Sequence, residues 1–458
     1  MLIRSRRDFI KDAVRSVTAL GAVGAMSKFG EMNALAQAQG TGYRALVCVF
    51  LNGGNDAHNM VIPISTAQQD NTLYKNARAG LALSPASLQT VYNGNDIYGL
   101  HPKLVELAGL YTAGNAAVVA NVGMLVKPFV DRNDYLSAGS VNLPNALFSH
   151  SDQTSQWQTA IPTGLGNTGW GGRMADFAQP ANAGAVFPSV TATSGCQIFC
   201  TGAQTYPTTV PVGGASILNG TNGSPARFSG VQALLQFSNG MQLVQAANGI
   251  LGRGVGYSNT LNALLAQANV TTQFPAGNLL GAQLQTVARM ISIRKQLGIT
   301  RQIFFCSLGG FDTHGGQLPV QDSLMQQLSQ AVAAFYQSTK DLGMDQLVTT
   351  FTASEFGRTL TPNGNQGTDH AWGSHHFVIG TGQGSGGLLQ GGKFYGQYPL
   401  LALGGANDAN TRGTLIPTTS VDQYAWTMAQ WFGVDPGSIS TVFPNLYHFP
   451  NQNLGFLG

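Results

Sequence analysis

The chain has 458 residues and a formal charge of +3 at pH 7, with 43% hydrophobic residues, only 9% charged residues and 59 glycines. That apolar content suffices for one large core or two ordinary ones, and it excludes disorder, which goes with high charge and few apolar residues. Residues 1–38 hold six of the 23 basic and three of the 20 acidic residues, so the remainder carries 17 of each. No basic patch points to nucleic acid or an anionic membrane.

The N-terminal segment reads as a cleavable export signal. Ser5-Arg6-Arg7-Asp8-Phe9-Ile10-Lys11 looks like a twin-arginine motif, residues 17–26 form an apolar stretch too short to span a bilayer, and Ala36-Gln37-Ala38 offers a small-x-small cleavage site. The alternative is an amphipathic helix that stays attached. Passage through the twin-arginine translocase would leave a periplasmic or extracellular protein. Because that route carries folded proteins, often with a cofactor already inserted, it fits a metal site. No later stretch is long and apolar enough for a membrane span.

The first strand-like run, residues 44–50, leads into Asn52-Gly53-Gly54-Asn55-Asp56. Leu104, Leu107, Ala108 and Tyr111 recur at helical spacing, and an apolar strand follows at 116–122. This β-α-β order predicts that 44–50 and 116–122 form a parallel pair with a right-handed crossover. Residues 145–157 read as a helix start carrying Ser149, His150, Ser151 and Asp152. Residues 180–230, rich in Gly, Thr, Ser and Pro, read as an irregular or β-rich insertion over the sheet's edge. Helical runs fill 231–297, the best at 279–297. The strand 302–308 leads into Gly310-Phe311-Asp312-Thr313-His314, and a long helix follows at 318–342. The strand 347–352 leads into Ser354-Glu355-Phe356-Gly357-Arg358. The last strand, 375–379, comes after Gly367-Thr368-Asp369-His370, and Thr418-Thr419-Ser420 opens a helix at 421–432. The expected class is α/β, one domain over 43–458, with a mostly parallel central sheet sandwiched by helices.

In such sheets a site forms outside the carboxyl ends of the strands. Asp56, Asp312, His314, Glu355 and His370 all fall beside strand-like runs and make a mixed nitrogen and oxygen ligand set. That set suits one or two divalent ions, zinc or manganese first, with calcium or magnesium if oxygen dominates. Against it stand ordinary roles: a turn and helix cap for Asp312 and His314, a cap or ion pair for Glu355. His101, before Pro102, reads as a helix-entry residue. His375 and His376 point to opposite sides of a strand, so at most one faces the site. Arg358 either pairs with Glu355 or holds an anionic substrate oxygen with its fork. Ser149 and Ser151 are either helix caps or, at a helix start that favours anions, a nucleophile. Cys48 and Cys306 read as buried strand residues, while Cys196 and Cys200 are close enough for a small disulfide.

Two motifs are decoys. The glycine run 382–387 matches G-x-G-x-x-G without the helix and acid that must follow, and 387–394 resembles a phosphate loop with Phe394 where Ser or Thr must meet magnesium.

Taken together, the motifs at 52–56, 310–317, 354–359 and 367–373, with Gly169-Trp170-Gly171-Gly172-Arg173 and Ile416-Pro417-Thr418-Thr419, resemble the exported bacterial family called domain of unknown function 1501. That family is similar to the alkaline phosphatase and sulfatase superfamily, which implies a central sheet between helices and a metal site at its C-terminal edge. By that resemblance Asp56 takes the place of the first-strand metal ligand, Ser149 that of the nucleophile, and Asp312 with His314 that of a ligand pair. Glu355 stands for an Asp and His370 for the late ligand His, whereas Phe356 replaces a ligand His and so removes one donor. The implied function is a metal-dependent hydrolase of phosphate or sulfate esters, acting on a small anionic ester. The competing expectation is an exported binding or assembly protein that keeps the metal cage without catalysis.

Overall fold

The computed structural model describes residues 42–185, 187–196, 198–214, 224–237 and 240–458; the export-signal expectation at 1–38 lies outside them. Among the described residues, twelve strands lie in chain order: β1 (Arg44–Asn52), β2 (Val61–Ser65), β3 (Gln89–Asn93), β4 (Asp96–Leu100), β5 (Ala116–Gly123), β6 (Val190–Ala192), β7 (Thr208–Thr209), β8 (Arg301–Gly309), β9 (Val348–Ala353), β10 (Ser374–Ile379), β11 (Phe394–Tyr395) and β12 (Thr419–Ser420). The central sheet has the order β11-β5-β10-β9-β1-β8-β6-β7, with β12 also on β5. Every pairing in it is parallel except those of β10, which runs against both β9 and β5. The mostly parallel α/β sheet expected from the sequence is therefore present. Strands β2, β4 and β3 form a separate antiparallel sheet.

Both faces of the central sheet are covered, which is why its strands read as continuous apolar runs rather than alternating ones. Ala45, Val47, Val49 and Leu51 face a core shared with Leu284 and Val287 of helix Leu279–Ser292 and Leu328 and Val332 of helix Gln317–Asp341. Leu46, Cys48 and Phe50 face the other core, with Met174 of helix Trp170–Ala178 and Tyr424 and Met428 of helix Val421–Phe432. That last helix starts on a capping box between Ser420 and Gln423.

The expected pairing of the first strand with 116–122 is corrected. The two run in the same direction, but β9 and β10 lie between them. A β-α-β order fixes direction, not adjacency, and the edges of β1 are taken by β8 and β9 in long parallel registers. Within 180–230, β6 extends the sheet by pairing with β8, β7 pairs with β6, and a helix, Pro225–Gln236, begins where irregular chain was expected. Cys196 and Cys200 are disulfide-bonded, while Cys48 and Cys306 are free and buried. No helix among the described residues is long and apolar enough to cross a membrane.

Candidate metal centre

The parallel strands β1, β8 and β9 end at one edge of the sheet, and there the chain turns through Gly53, Asp312 and Glu355. Strand β10 runs the other way, so its beginning meets the same edge and delivers His370 from the residues before it. The loop between β9 and β10 is itself a narrow ribbon: Arg358 and His370 face each other as a bridge, with hydrogen bonds Gly357 N to Trp372 O (2.9 Å), Thr359 N to Asp369 O (2.9 Å) and Ala371 N to Gly357 O (2.9 Å). The turn after β1 requires glycine. Gly53 and Gly54 have φ of +117° and +80°, and a Cβ on them would lie 2.3 Å from Asp312 N and 2.3 Å from the Phe356 ring.

Asp312 is the hub. Its Oδ1 lies 3.1 Å from His314 Nε2 and 3.3 Å from His370 Nε2, and its Oδ2 lies 3.5 Å from His150 Nε2. His150, Asp312 and His370 each offer a ligand atom, all within 4.8 Å of one another, a group able to hold a metal ion. In a tetrahedral zinc site, bonds of about 2.0–2.1 Å put ligand atoms roughly 3.3 Å apart. These spacings fit that scale.

Each imidazole is held from behind by an acceptor. His150 Nδ1 meets Glu355 Oε1 at 3.1 Å, His314 Nδ1 meets Asp369 Oδ1 at 3.2 Å, and His370 Nδ1 donates to Phe148 O at 2.8 Å. Carboxylates and carbonyls only accept, so each Nδ1 is the donor in its contact, and each ring turns its Nε2 toward the hub. Glu355 is fixed in turn by Gly53 N at 2.7 Å. Phe148 has a φ of +72°, rare for a bulky residue, at the step where the chain enters the helix carrying His150. Phe356 is buried and lies 4.9 Å from the His150 ring and 4.7 Å from the His370 ring, so it forms a wall of the cluster.

Charge follows the same plan. Burial pushes the Asp312 carboxyl up, but its bond to Arg358 and the nearby imidazoles outweigh this and hold it below the usual carboxylate range. Burial opposes ionisation of Asp369 too, yet bonds from Asn363, Arg412 and His314 bring it down to about 2. Burial moves His370 below the usual imidazole range, against the pull of the Phe148 carbonyl. The side chains of Asp312 and His314 are 45% and 44% exposed, so the hub opens to solvent.

Not every expected residue joins this cluster. The Asp56 carboxylate is buried and bonded to Arg78 Nη2, Gln317 Nε2 and His58 N (3.1 Å). Its donors are protein groups, and the hub does not include it. Glu355 stands behind His150 rather than beside Asp312. Arg358 is fully buried and spends its donors on Thr368 Oγ1 (3.0 Å), Thr368 O, Gly53 O (3.0 Å) and Asp312 Oδ1 (2.9 Å). It positions Asp312 instead of reaching out to a substrate. Ser149 caps its helix, its Oγ accepting from Asp152 N at 3.5 Å, and it donates to Asp152 Oδ2 at 2.6 Å. His375 and His376 lie on opposite faces of β10 and neither reaches the site: His375 Nδ1 accepts from Asn121 N, and His376 packs on Trp157 and Tyr424. His101 accepts from Lys103 N before its helix. His150 and Asp369 were not expected. The sequence signals were only their places beside Ser149 and His370.

Among solved structures the chain is similar to the C-terminal periplasmic domain of EcEptC from Escherichia coli (10% identity, 91% of this chain and 87% of that chain, TM-score 0.35). It is also similar to the soluble domain of lipooligosaccharide phosphoethanolamine transferase A from Neisseria meningitidis (10% identity, 86% and 88% covered, TM-score 0.35). A third is the PsFucS1 sulfatase from Pseudoalteromonas sp. (8% identity, 93% and 74% covered, TM-score 0.34). All three fall below a TM-score of 0.5, so the chemistry of the site is read from its own side chains. No curated protein matches the sequence. Residues 43–420 match the family described as "Protein of unknown function (DUF1501)", and the chain belongs to that family.

Proposed function

We propose that the chain is an exported, metal-dependent hydrolase of phosphate or sulfate esters. The observation that carries this reading is the convergence of three Nε2 lone pairs on the solvent-open Asp312 carboxylate, each ring fixed from behind. Imidazole and carboxylate donors suit zinc or manganese. His150, Asp312 and His370 would hold the ion, with His314 beside them. A bound divalent ion supplies Lewis-acid polarisation of the ester oxygen.

The rest is done by the chain. Arg358 keeps Asp312 ionised and aimed. Glu355 and the Phe148 carbonyl keep His150 and His370 in the right tautomer. Ser149, next to His150, is the candidate nucleophile: its Oγ attacks the phosphorus or sulfur, its proton passes to Asp152 Oδ2, and the bond to the ester oxygen breaks, that oxygen taking the proton from Asp152 and leaving as the alcohol. Water then cleaves the Ser149 ester. Export would follow the twin-arginine route.

A second reading, a non-catalytic metal-containing binding or assembly protein, is favoured by the closed Asp56–Arg78 pair and by the cap role of Ser149. Metal analysis of protein exported from its native host, followed by a panel of phosphate and sulfate esters with and without chelator, separates the two. Hydrolysis abolished by chelator supports the hydrolase. Fully loaded protein that cleaves no ester of either kind replaces it with the binding protein.

A further inference from the structure

An anionic substrate at this site needs a cation, and Arg358 has none of its charge to spare for one. Arg412 does. Its side chain is 46% exposed and touches Asp369 through Nη2 at 2.6 Å, while no described residue takes its Nε or Nη1. Asp369 in turn holds His314, so two hydrogen bonds separate this guanidinium from the ring beside the hub.

The backbone that presents it is held from several sides. Buried Asp408 accepts from Gly404 N (2.9 Å), Asn410 N (3.2 Å), Gly413 N (3.0 Å) and Thr414 N (3.1 Å). Arg412 N donates to Asn410 Oδ1 at 3.1 Å, and Arg412 O accepts from Thr361 N at 3.0 Å. Next to it Thr411 has a φ of +70°, a conformation that costs a β-branched residue energy and persists only where the surroundings enforce it. A strained, stapled loop that ends in an exposed arginine with free donors is a presentation device.

We propose that Arg412 is the residue that grips the anionic oxygens of the substrate at the mouth of the metal centre, using the N–H groups that Asp369 leaves free. This rests on the ester-hydrolase reading above. A planar fork matches two oxygens of a phosphoryl or sulfuryl group, and Asp369 pre-orients it without neutralising all its donors.

The test is calorimetric titration of zinc-loaded protein with inorganic phosphate and with sulfate, alongside zinc content and melting temperature. Arg412→Ala should weaken anion affinity at least tenfold with zinc content unchanged, and Arg412→Lys should recover only part of it. If Arg412→Ala binds the anions as the unaltered protein does, the role of Arg412 fails and the hydrolase reading stands. If Arg412→Ala and Arg412→Lys lose zinc in step with anion affinity, Arg412 only buttresses Asp369 and the proposal falls. If the unaltered zinc-loaded protein binds neither anion, the role of Arg412 falls, and the ester panel alone decides the hydrolase reading.

Discussion

His314 Nε2 and His370 Nε2 lie 2.9 Å apart. Both rings give their Nδ1 proton to an acceptor, so in the neutral state two lone pairs face each other at hydrogen-bond distance. That contact is repulsive unless a positive charge sits with it, and Asp312 lies beside both nitrogens to share that charge. A bound divalent ion answers that need. The contact is the residue-level reason to expect a metal here.

The place of each side chain around the hub sets a ranking. His150→Ala removes a donor atom and should abolish tight binding of zinc. Glu355→Ala leaves the donor but frees its ring, and loss of such an outer partner costs about 10–100-fold in metal affinity. Competition with a chelator of known affinity measures both. Equal and complete loss in the two variants would return Glu355 to the ligand set.

Asp56 and Arg78 predict a stoichiometry. With the Asp56 carboxylate closed by Arg78 and Gln317, each chain should bind one ion strongly, which mass spectrometry of the native protein checks. Both partners are essentially inaccessible to solvent, so Arg78→Ala strands a buried charge and should destabilise by about 3–5 kcal/mol in urea unfolding.

Much of this architecture is legible in the sequence, for reasons that also explain the gaps. Strands β1, β8, β9 and β10 read out because both their faces are buried, and the acids and histidines beside them stand in glycine-marked turns. His150 does not, because it sits on the first turn of a helix with no strand before it. The closure of Asp56 is not legible because its partner Arg78 comes from a helix, Asn71–Arg78, whose buried arginine looks like any surface charge in one dimension. Direction of a strand is equally silent: nothing in residues 375–379 tells that β10 runs against its neighbours.

Acid should unfold the protein through its buried histidines. Burial lowers His58 from 6.5 to about 4, and burial alone lowers His376 from 6.5 to about 3. Between pH 6.5 and those values the unfolded chain takes up protons that the folded chain refuses. Stability is therefore whole above pH 6.5 and falls as pH drops, by about 1.4 kcal/mol per pH unit for each such ring. Calorimetry from pH 7.5 to 4.5 should show the decline, and His376→Gln should remove one ring's share of it. A melting temperature constant over that range would contradict the assignment.

Ser149→Ala discriminates chemistry from capping. Loss of the cap should cost about 1 kcal/mol, whereas loss of a nucleophile should cut turnover by orders of magnitude with metal content intact. If hydrolysis survives unchanged, Ser149 is a cap alone and water attacks the ester directly.

The arginine pair at the start of the chain can be tested separately. Arg6→Lys with Arg7→Lys keeps the charge but removes the address read by the translocase, so precursor should remain in the cytoplasm. Normal export of the double variant, followed by fractionation and blotting, would dismiss the motif.

The ribbon between β9 and β10 ties Glu355, Arg358, Asp369 and His370 into one short stretch of chain, closed by its own ladder. Such a stretch opens as a unit. One local unfolding event would withdraw a ligand, its neighbour's orienting acid and the arginine that holds Asp312, all at the same moment. Release of the ion would then be all-or-none and slow, governed by how often the ribbon opens. Hydrogen exchange in residues 354–373 and the off-rate of the ion should share one activation barrier.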